Sequence, residues 1–236
     1  AGDVSSLLKV AGLMDSKVEG RLDGELSIDG TVDNPRGRLT GQLTEATIGD
    51  KPVEPTDIDV QYEDDTIDIH KLALRVDGGI LAAQGSYGLK GDVKMQVAAR
   101  NFSSKVLQDL IGRQDLDIDT RIDAVADLSG RGNRPNADVS LQLHGGTVKG
   151  ISFTDMYALL NVYDGIITLD QAYVERDPYK LNAEGSIPVA ALTGERTDES
   201  MDVSITFDHA GLDILTFLTP WITSATGPRD FALWII

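Results

Sequence analysis

Apolar and polar residues alternate along most of this chain. Leu22, Gly24, Leu26 and Ile28 interleave with Asp23, Glu25, Ser27 and Asp29, the period of two that gives a strand one apolar and one wet face. Gly30 to Arg38 supplies the Gly, Asp, Asn and Pro of a tight connection. Leu39, Gly41 and Leu43 then alternate with Thr40, Gln42 and Thr44. The pattern predicts a β-hairpin with a long, Pro-containing turn, and the same grammar continues after the two-proline segment KPVEPTD. Ile58, Val60 and Tyr62 alternate with Asp57, Asp59 and Gln61; Glu63 to Asp65 form an acidic turn; Ile67 and Ile69 return. Leu72, Leu74 and Val76 carry on with opposite parity, so a bulge is expected at His70 and Lys71, because a one-residue slip exchanges the faces.

Leu81, Ala83, Gly85 and Tyr87 share a face, as do Val93, Met95, Val97 and Ala99. The period changes in SSKVLQDLIG, where Ser103 is a candidate cap, Val106, Leu107, Leu110 and Ile111 form a stripe and Gly112 is a stop. A long strand is expected from Leu116 through Ile118 and Ile122 to Leu128, its wet face mostly acidic. Ahead of all this, residues 1–15 carry Val4, Leu7, Leu8 and Ala11 at helical spacing and predict a short amphipathic helix.

The second half repeats the first at an offset of 100. Gly30 and Pro35 meet Gly130 and Pro135; Gln42, Leu43 and Thr47 meet Gln142, Leu143 and Thr147; Leu81, Ala83, Gly85 and Ser86 meet Leu181, Ala183, Gly185 and Ser186. Agreement in both identity and parity identifies an internal duplication. The units are residues 16–114 and 115–222, each many strands closed by one helix, the second by the stripe Leu212, Leu215 and Leu218 before Pro220. The register slips between Ala190 and Ser200, which reads as an insertion of about ten residues. Residues 223–236 read as an apolar tail or the start of a next unit, and the chain as a fragment of a longer one.

So many one-sided strands with two or three short helices must hide their apolar faces largely against one another. Aromatic residues are 6% of the 236, and the inward positions are mostly Leu, Ile, Val, Ala and Gly, so two facing walls would not fill the space between them. The expected fold is mainly β: an elongated antiparallel sheet curved into an open, U-shaped trough with an apolar interior. A β-sandwich is the alternative.

Charge and candidate chemistry narrow the function more than they define it. Against 21 Lys and Arg stand 38 Asp and Glu, a formal net charge of -17. That argues against nucleic acid as a partner and against docking by charge onto an anionic bilayer. With no cysteine there are no disulfides, thiol nucleophiles or zinc-thiolate sites. No window approaches the roughly 18 consecutive apolar residues of a membrane span. His70, His144 and His209 stand apart, without metal or relay spacing. The acids of DLDID, Asp115 to Asp119, alternate on a strand and lack the loop and closing Glu of a calcium hand. GGTVKG, Gly145 to Gly150, lacks the Lys-Ser or Lys-Thr of a phosphate loop. No enzyme, metal or cofactor is expected.

The strand followed by Gly30 Thr31 and Asn34 Pro35, with the later segments LAAQGSY and LNAEGSI, resembles the TamB proteins and the wider AsmA-like group of bacterial envelope proteins. The likeness covers roughly Gly20 to Trp221. It implies a U-shaped β-taco, held in the inner membrane through a segment outside this sequence, that reaches across the periplasm and carries phospholipid. An outer-membrane barrel protein would be a further partner. Acyl chains would then lie against Leu22, Leu26, Ile28, Leu39, Leu43, Ile58, Val60, Ile67, Ile69, Leu81, Ala83, Val93, Met95 and Val97. In the second unit they would lie against Leu116, Ile118, Ile122, Val139, Leu141, Leu143, Ile167, Leu169, Leu181, Ala183, Val203, Ile205 and Phe207. Two other readings stand beside the lipid conduit: a scaffold or chaperone for barrel assembly through strand edges, and a structural or adhesive β-sandwich whose apolar residues are core.

Overall fold

A computed structural model describes residues 2–3, 17–32, 34–89, 91–112, 116–131, 136–148, 150–177, 179–190, 200–208 and 231–235. The strands are β1 (Gly2–Asp3), β2 (Val18–Gly30), β3 (Pro35–Ile48), β4 (Lys51–Pro52), β5 (Thr56–Glu63), β6 (Thr66–Val76), β7 (Gly79–Gly88) and β8 (Val93–Ser103). After helix α1 (Ser104–Ile111) come β9 (Ile118–Gly130), β10 (Asn136–Val148), β11 (Ile151–Tyr163), β12 (Ile166–Arg176), β13 (Tyr179–Pro188), β14 (Asp202–Asp208) and β15 (Phe231–Ile235). They form one 15-stranded antiparallel sheet in chain order, with β4 beside β3 and off the main path. The sheet does not close into a barrel, and no second sheet stacks on it, so the described chain is not a sandwich. The expected helix at residues 212–218 and residues 4–15 of the one expected at residues 1–15 lie outside the described residues; Gly2 and Asp3, inside the latter, are strand β1 rather than helix.

Local chemistry explains the meander. Asp64 and Asp65, Asp77 and Gly78, and Asp164 and Gly165 all have positive φ, the conformation of two-residue turns whose twist matches that of the strands they join. The expected bulge is present: Val60 pairs with Ile69 and Asp59 with Lys71, leaving His70 as the extra residue. Its counterpart lies 100 residues on, where Leu160 pairs with Leu169 and Leu159 with Gln171. Beside each bulge runs a close backbone approach. A Cβ at Gly85 would come within 2.2 Å of the Lys94 carbonyl oxygen, and one at Gly185 within 2.1 Å of that of Asp202.

Pairing repeats at the same offset throughout the two units. Leu22 faces Leu43 and Ile122 faces Leu143; Leu39 faces Val60 and Val139 faces Leu160; Leu72 faces Ala83 and Ala172 faces Ala183. Beyond the loop after β13, Gly185 pairs with Val203 where Gly85 pairs with Met95. The offset has become 108, so the insertion is eight residues, shorter than the expected ten. The units are not separate bodies: β8 pairs with β9 from Val93 and Gly130 to Ser103 and Arg121, carrying the sheet across their junction.

The sheet bends around α1. Between β3 and β9 lie five strand intervals, about 24 Å on a flat sheet. Yet α1 touches both β3 and β9, although the helix rises only about 7.5 Å from Ser104 to Asp109. At its start the Ser104 hydroxyl donates to the Ile118 carbonyl at 2.9 Å and accepts from the Thr120 amide at 2.9 Å, while Gln108 Nε2 donates to Ile118 at 2.7 Å. At its end the Lys17 amide donates to the Asp109 carbonyl at 3.0 Å, and Gly49 donates to Lys17 at 2.8 Å. The helix that closes the first unit is thus fastened both to that unit's start, at Lys17, and to the first strand of the second unit, β9. The expected cap at Ser103 has extended backbone but forms no side-chain bond; Gly112 does end the helix in the left-handed region. With Val106 of α1 lies the larger of the two described cores, Val18, Leu43, Ala46, Ile48, Val53, Val76, Phe102 and Val106, with Ile58, Leu74, Leu81 and Ala99 against it. All of these apolar strands present the same face to the helix, so the apolar face is the concave one.

Phe102 is fully buried, and Phe102→Ala should cost about 3–5 kcal/mol of stability by leaving a cavity under α1. Leu128→Ala, on the half-exposed part of the same face, should cost clearly less. Urea unfolding of both variants checks the order; equal losses would mean that the core does not lie under the helix.

Candidate lipid-binding face

The concave face is assembled by register. One ladder of directly facing residues runs Leu26, Leu39, Val60, Ile69, Gly85, Met95, Leu128, Ala137, Val162, Ile167 and Ile187, from β2 to β13 without a polar residue. Nearer the helix, a second runs from Leu72 through Ala83, Val97, Ala126, Val139, Leu160, Leu169 and Gly185 to Val203. A third includes Leu81, Leu141, Ala183 and Ile205, and a fourth Phe102, Ile122, Leu143, Leu181 and the register position of Phe207. Toward the turn end of the first unit, Ile28, Tyr62, Ile67, Tyr87 and Val93 continue the same surface. Each strand from β2 to β14 except β4 thus contributes alternate residues to one apolar wall, the consequence of side chains that change face at each step.

This wall is not uniformly exposed. Leu22, Leu43, Ile122, Leu143 and Val203 are buried, and Leu43 belongs to the core that includes Val106 of α1, so these are covered rather than free wall. Along β2 the same face goes from 7% exposure at Leu22 to 62% at Leu26 and 72% at Ile28. Ile58, Val60, Ile69, Met95, Val97, Leu128, Val139, Leu160 and Leu169 are half-buried. Leu116 lies ahead of β9, outside the sheet, and Ile118 is the first residue of that strand, facing Val148. Sequence reasoning missed Leu72, Leu160 and Val162 as wall residues, although the alternation that found their neighbours places each of them too.

The convex face carries charge. Arg38 forms a two-pronged pair with Asp59, at 3.2 and 3.0 Å, and Lys71 Nζ lies 2.8 Å from Asp57. These partners hold the Asp59 and Asp57 carboxyls below the usual range, in each case chiefly through the hydrogen bond from the cation. Arg121 donates to the carbonyl and the carboxylate of Asp77 at 2.9 and 2.8 Å. His144, read from the sequence as standing apart, is exposed but lies 2.8 Å from Asp123 Oδ2. No group of acids and histidines able to hold a metal occurs among the described residues. An open depression of about 620 Å³ lies on this face beside the His70 bulge, lined by Asp68, Gln84, Lys94, Gln96 and Asp127 among others. A smaller one lies at Asp170 and Gln171, beside the second bulge. Both are of mixed polarity, and the first also reaches Ile69, Gly85, Met95 and Leu128 of the first apolar ladder.

The described helix is too short to cross a membrane, and no other among the described residues is long and apolar enough to do so. Comparison with protein-family models, with curated proteins and with solved structures finds no match. The site therefore rests on its geometry: an open sheet, apolar and concave on one side, charged on the other.

The Asp123 carboxylate is held below its ordinary range first by the Asn101 amide and next by the His144 ring. A folded-state pKa below the unfolded one contributes stability that is present above about pH 4 and is lost as pH falls through the folded value. Asp123→Asn should therefore lower the thermal midpoint at pH 7 and leave a smaller difference from the parent at pH 3. Melting curves across that range check this; a gap that widens in acid would contradict it.

Proposed function

We propose that this protein carries lipid acyl chains along its concave apolar face, as a segment of a phospholipid conduit in the periplasm of a bacterial cell envelope, the role implied by its resemblance to the TamB and AsmA-like proteins. The observation that carries the reading is the set of uninterrupted apolar ladders whose middle stretches stay half-exposed. An ordinary core with that composition would be covered by a second layer. The face spans eleven strand intervals from β2 to β14, at most about 53 Å along the sheet.

The mechanism needs no chemistry. Each methylene moved from water onto the face gains about 0.8 kcal/mol. This attraction is non-directional, so one position along the ladders is nearly equivalent to the next. Half-buried Val, Leu, Ile and Ala side chains offer a contact at every strand interval but no hydrogen bond that would fix a registry. The chain slides, and the headgroup stays in water at the open side. The convex face carries a run of Ala73, Ala82, Ala98 and Val125, but the charges and ion pairs around it discourage self-association through that side.

A photo-crosslinking residue at Val97 or Leu160 should yield a phospholipid adduct in cells, and one at Gln96 or Asn161, on the opposite face, should not. Absence of adducts at both inner positions, or equal yields on the two faces, would sink the conduit reading. Val97→Asp should reduce the adduct at Leu160 several-fold while the folded state, followed by urea unfolding, persists.

A further inference from the structure

We infer that the convex face of the second unit, from the Tyr157–Tyr173 pair to the hollow beside the second bulge, is a binding site for an uncharged oligosaccharide of pyranose rings. Tyr157 faces Tyr173 directly; Tyr173 faces Asn182, and Asn182 faces Thr206. Alongside, Leu159 faces Gln171 and Glu184 faces Ser204. Asp170, Gln171, Asn182, Glu184, Ser204 and Thr206 line the hollow of about 340 Å³, so the ring pair and the hollow adjoin at Asn182. Both tyrosines are half-buried, and the Tyr173 hydroxyl donates to Glu175 Oε2 at 3.0 Å, which holds the outer end of that ring.

The first unit builds the same sheet without this surface. At the positions 100 residues earlier stand Asp57, Asp59, Lys71 and Ala73, and the convex face there carries ion pairs, Lys71 with Asp57 at 2.8 Å and Arg38 with Asp59 at 3.0 Å. The first hollow is satisfied from within: Gln84 donates to Gln96 at 3.2 Å and Gln96 to Asp127 at 2.9 Å. In the second unit Tyr157, Leu159, Gln171 and Tyr173 take the place of the paired charges. Of the polar side chains lining its hollow, only that of Asp170 has a hydrogen-bond partner among the described residues, Asn161 at 3.1 Å. A pyranose has an apolar face of C–H bonds and a rim of hydroxyls. A tyrosine ring packs against the first, and planar amides and carboxylates, which reach two adjacent hydroxyls at once, meet the second. Asp170, Glu175 and Glu184 repel an anionic ligand, and a cation would use the carboxylates but leave the amides and hydroxyls without a role.

The test titrates cellotetraose and tetra-N-acetylchitotetraose into the full chain and follows binding by calorimetry. At least one of them should bind saturably, with a Kd at or below about 1 mM. Tyr173→Ala and Asn182→Ala should each weaken that binding about fivefold or more. Tyr87→Ala, which removes a 43% exposed tyrosine from the opposite face, should leave it unchanged. Thermal melting identifies the variants that stay folded; should Tyr173→Ala unfold, Asn182→Ala and Glu184→Gln carry the same comparison. No saturable binding of either sugar would overturn the site, as would equal affinity in the parent and the folded variants. Tetralysine binding that Glu184→Gln weakens, with neither sugar bound, would make this a cation site and overturn the assignment to carbohydrate.

Discussion

A sheet with one apolar face and no second layer has to bend toward that face, and here the bend is held by eight helical residues. The Ser104 hydroxyl and the Gln108 amide tie the start of α1 to β9, and Asp109 ties its end to Lys17 beside Gly49. Phe102 and Val106 fill the space between. The fastening lies at one end of the strands, and along β2 burial decreases toward the other end, from Leu22 at 7% exposure to Ile28 at 72%. The same apolar alternation therefore produces a packed core near the helix and an open wall away from it. That gradient separates the residues that hold the fold from those free to meet a ligand.

Duplication extends the constraint. Each unit contains the same bulge, the same close glycine approach and the same order of pairings, so the faces of the second unit come into phase with those of the first. A slip of one residue anywhere would have put an acidic ladder on the concave side. His70 and its counterpart beside Leu169 are extra residues that re-phase their strands, and they also open the hollows on the convex face. Continuity of the apolar wall and the presence of those hollows have one cause.

The alternation, the bulge at His70, the helix through Val106 and the repeat were all legible in the sequence, because each depends on residues close together in the chain or on a fixed offset. The extent of burial was not. Leu22 and Ile28 have the same parity and similar chemistry, yet one is buried and the other faces solvent: Leu22 faces Leu43 of the core beside α1, whereas Ile28 faces Gly37. Leu116 continued the alternation on paper but precedes the first paired residue of β9. The pairing of His144 with Asp123 joins positions on neighbouring strands that alternation alone does not align.

By itself, then, the chain determined its strands, their two faces and their duplication, since side-chain direction in a strand follows from position parity. Only the tertiary structure decided that the strands form one open sheet rather than two stacked ones, and which part of the apolar face is covered. Those outcomes depend on contacts between α1 and strands up to five intervals apart, and no local pattern encodes where a bend in the sheet will bring them together.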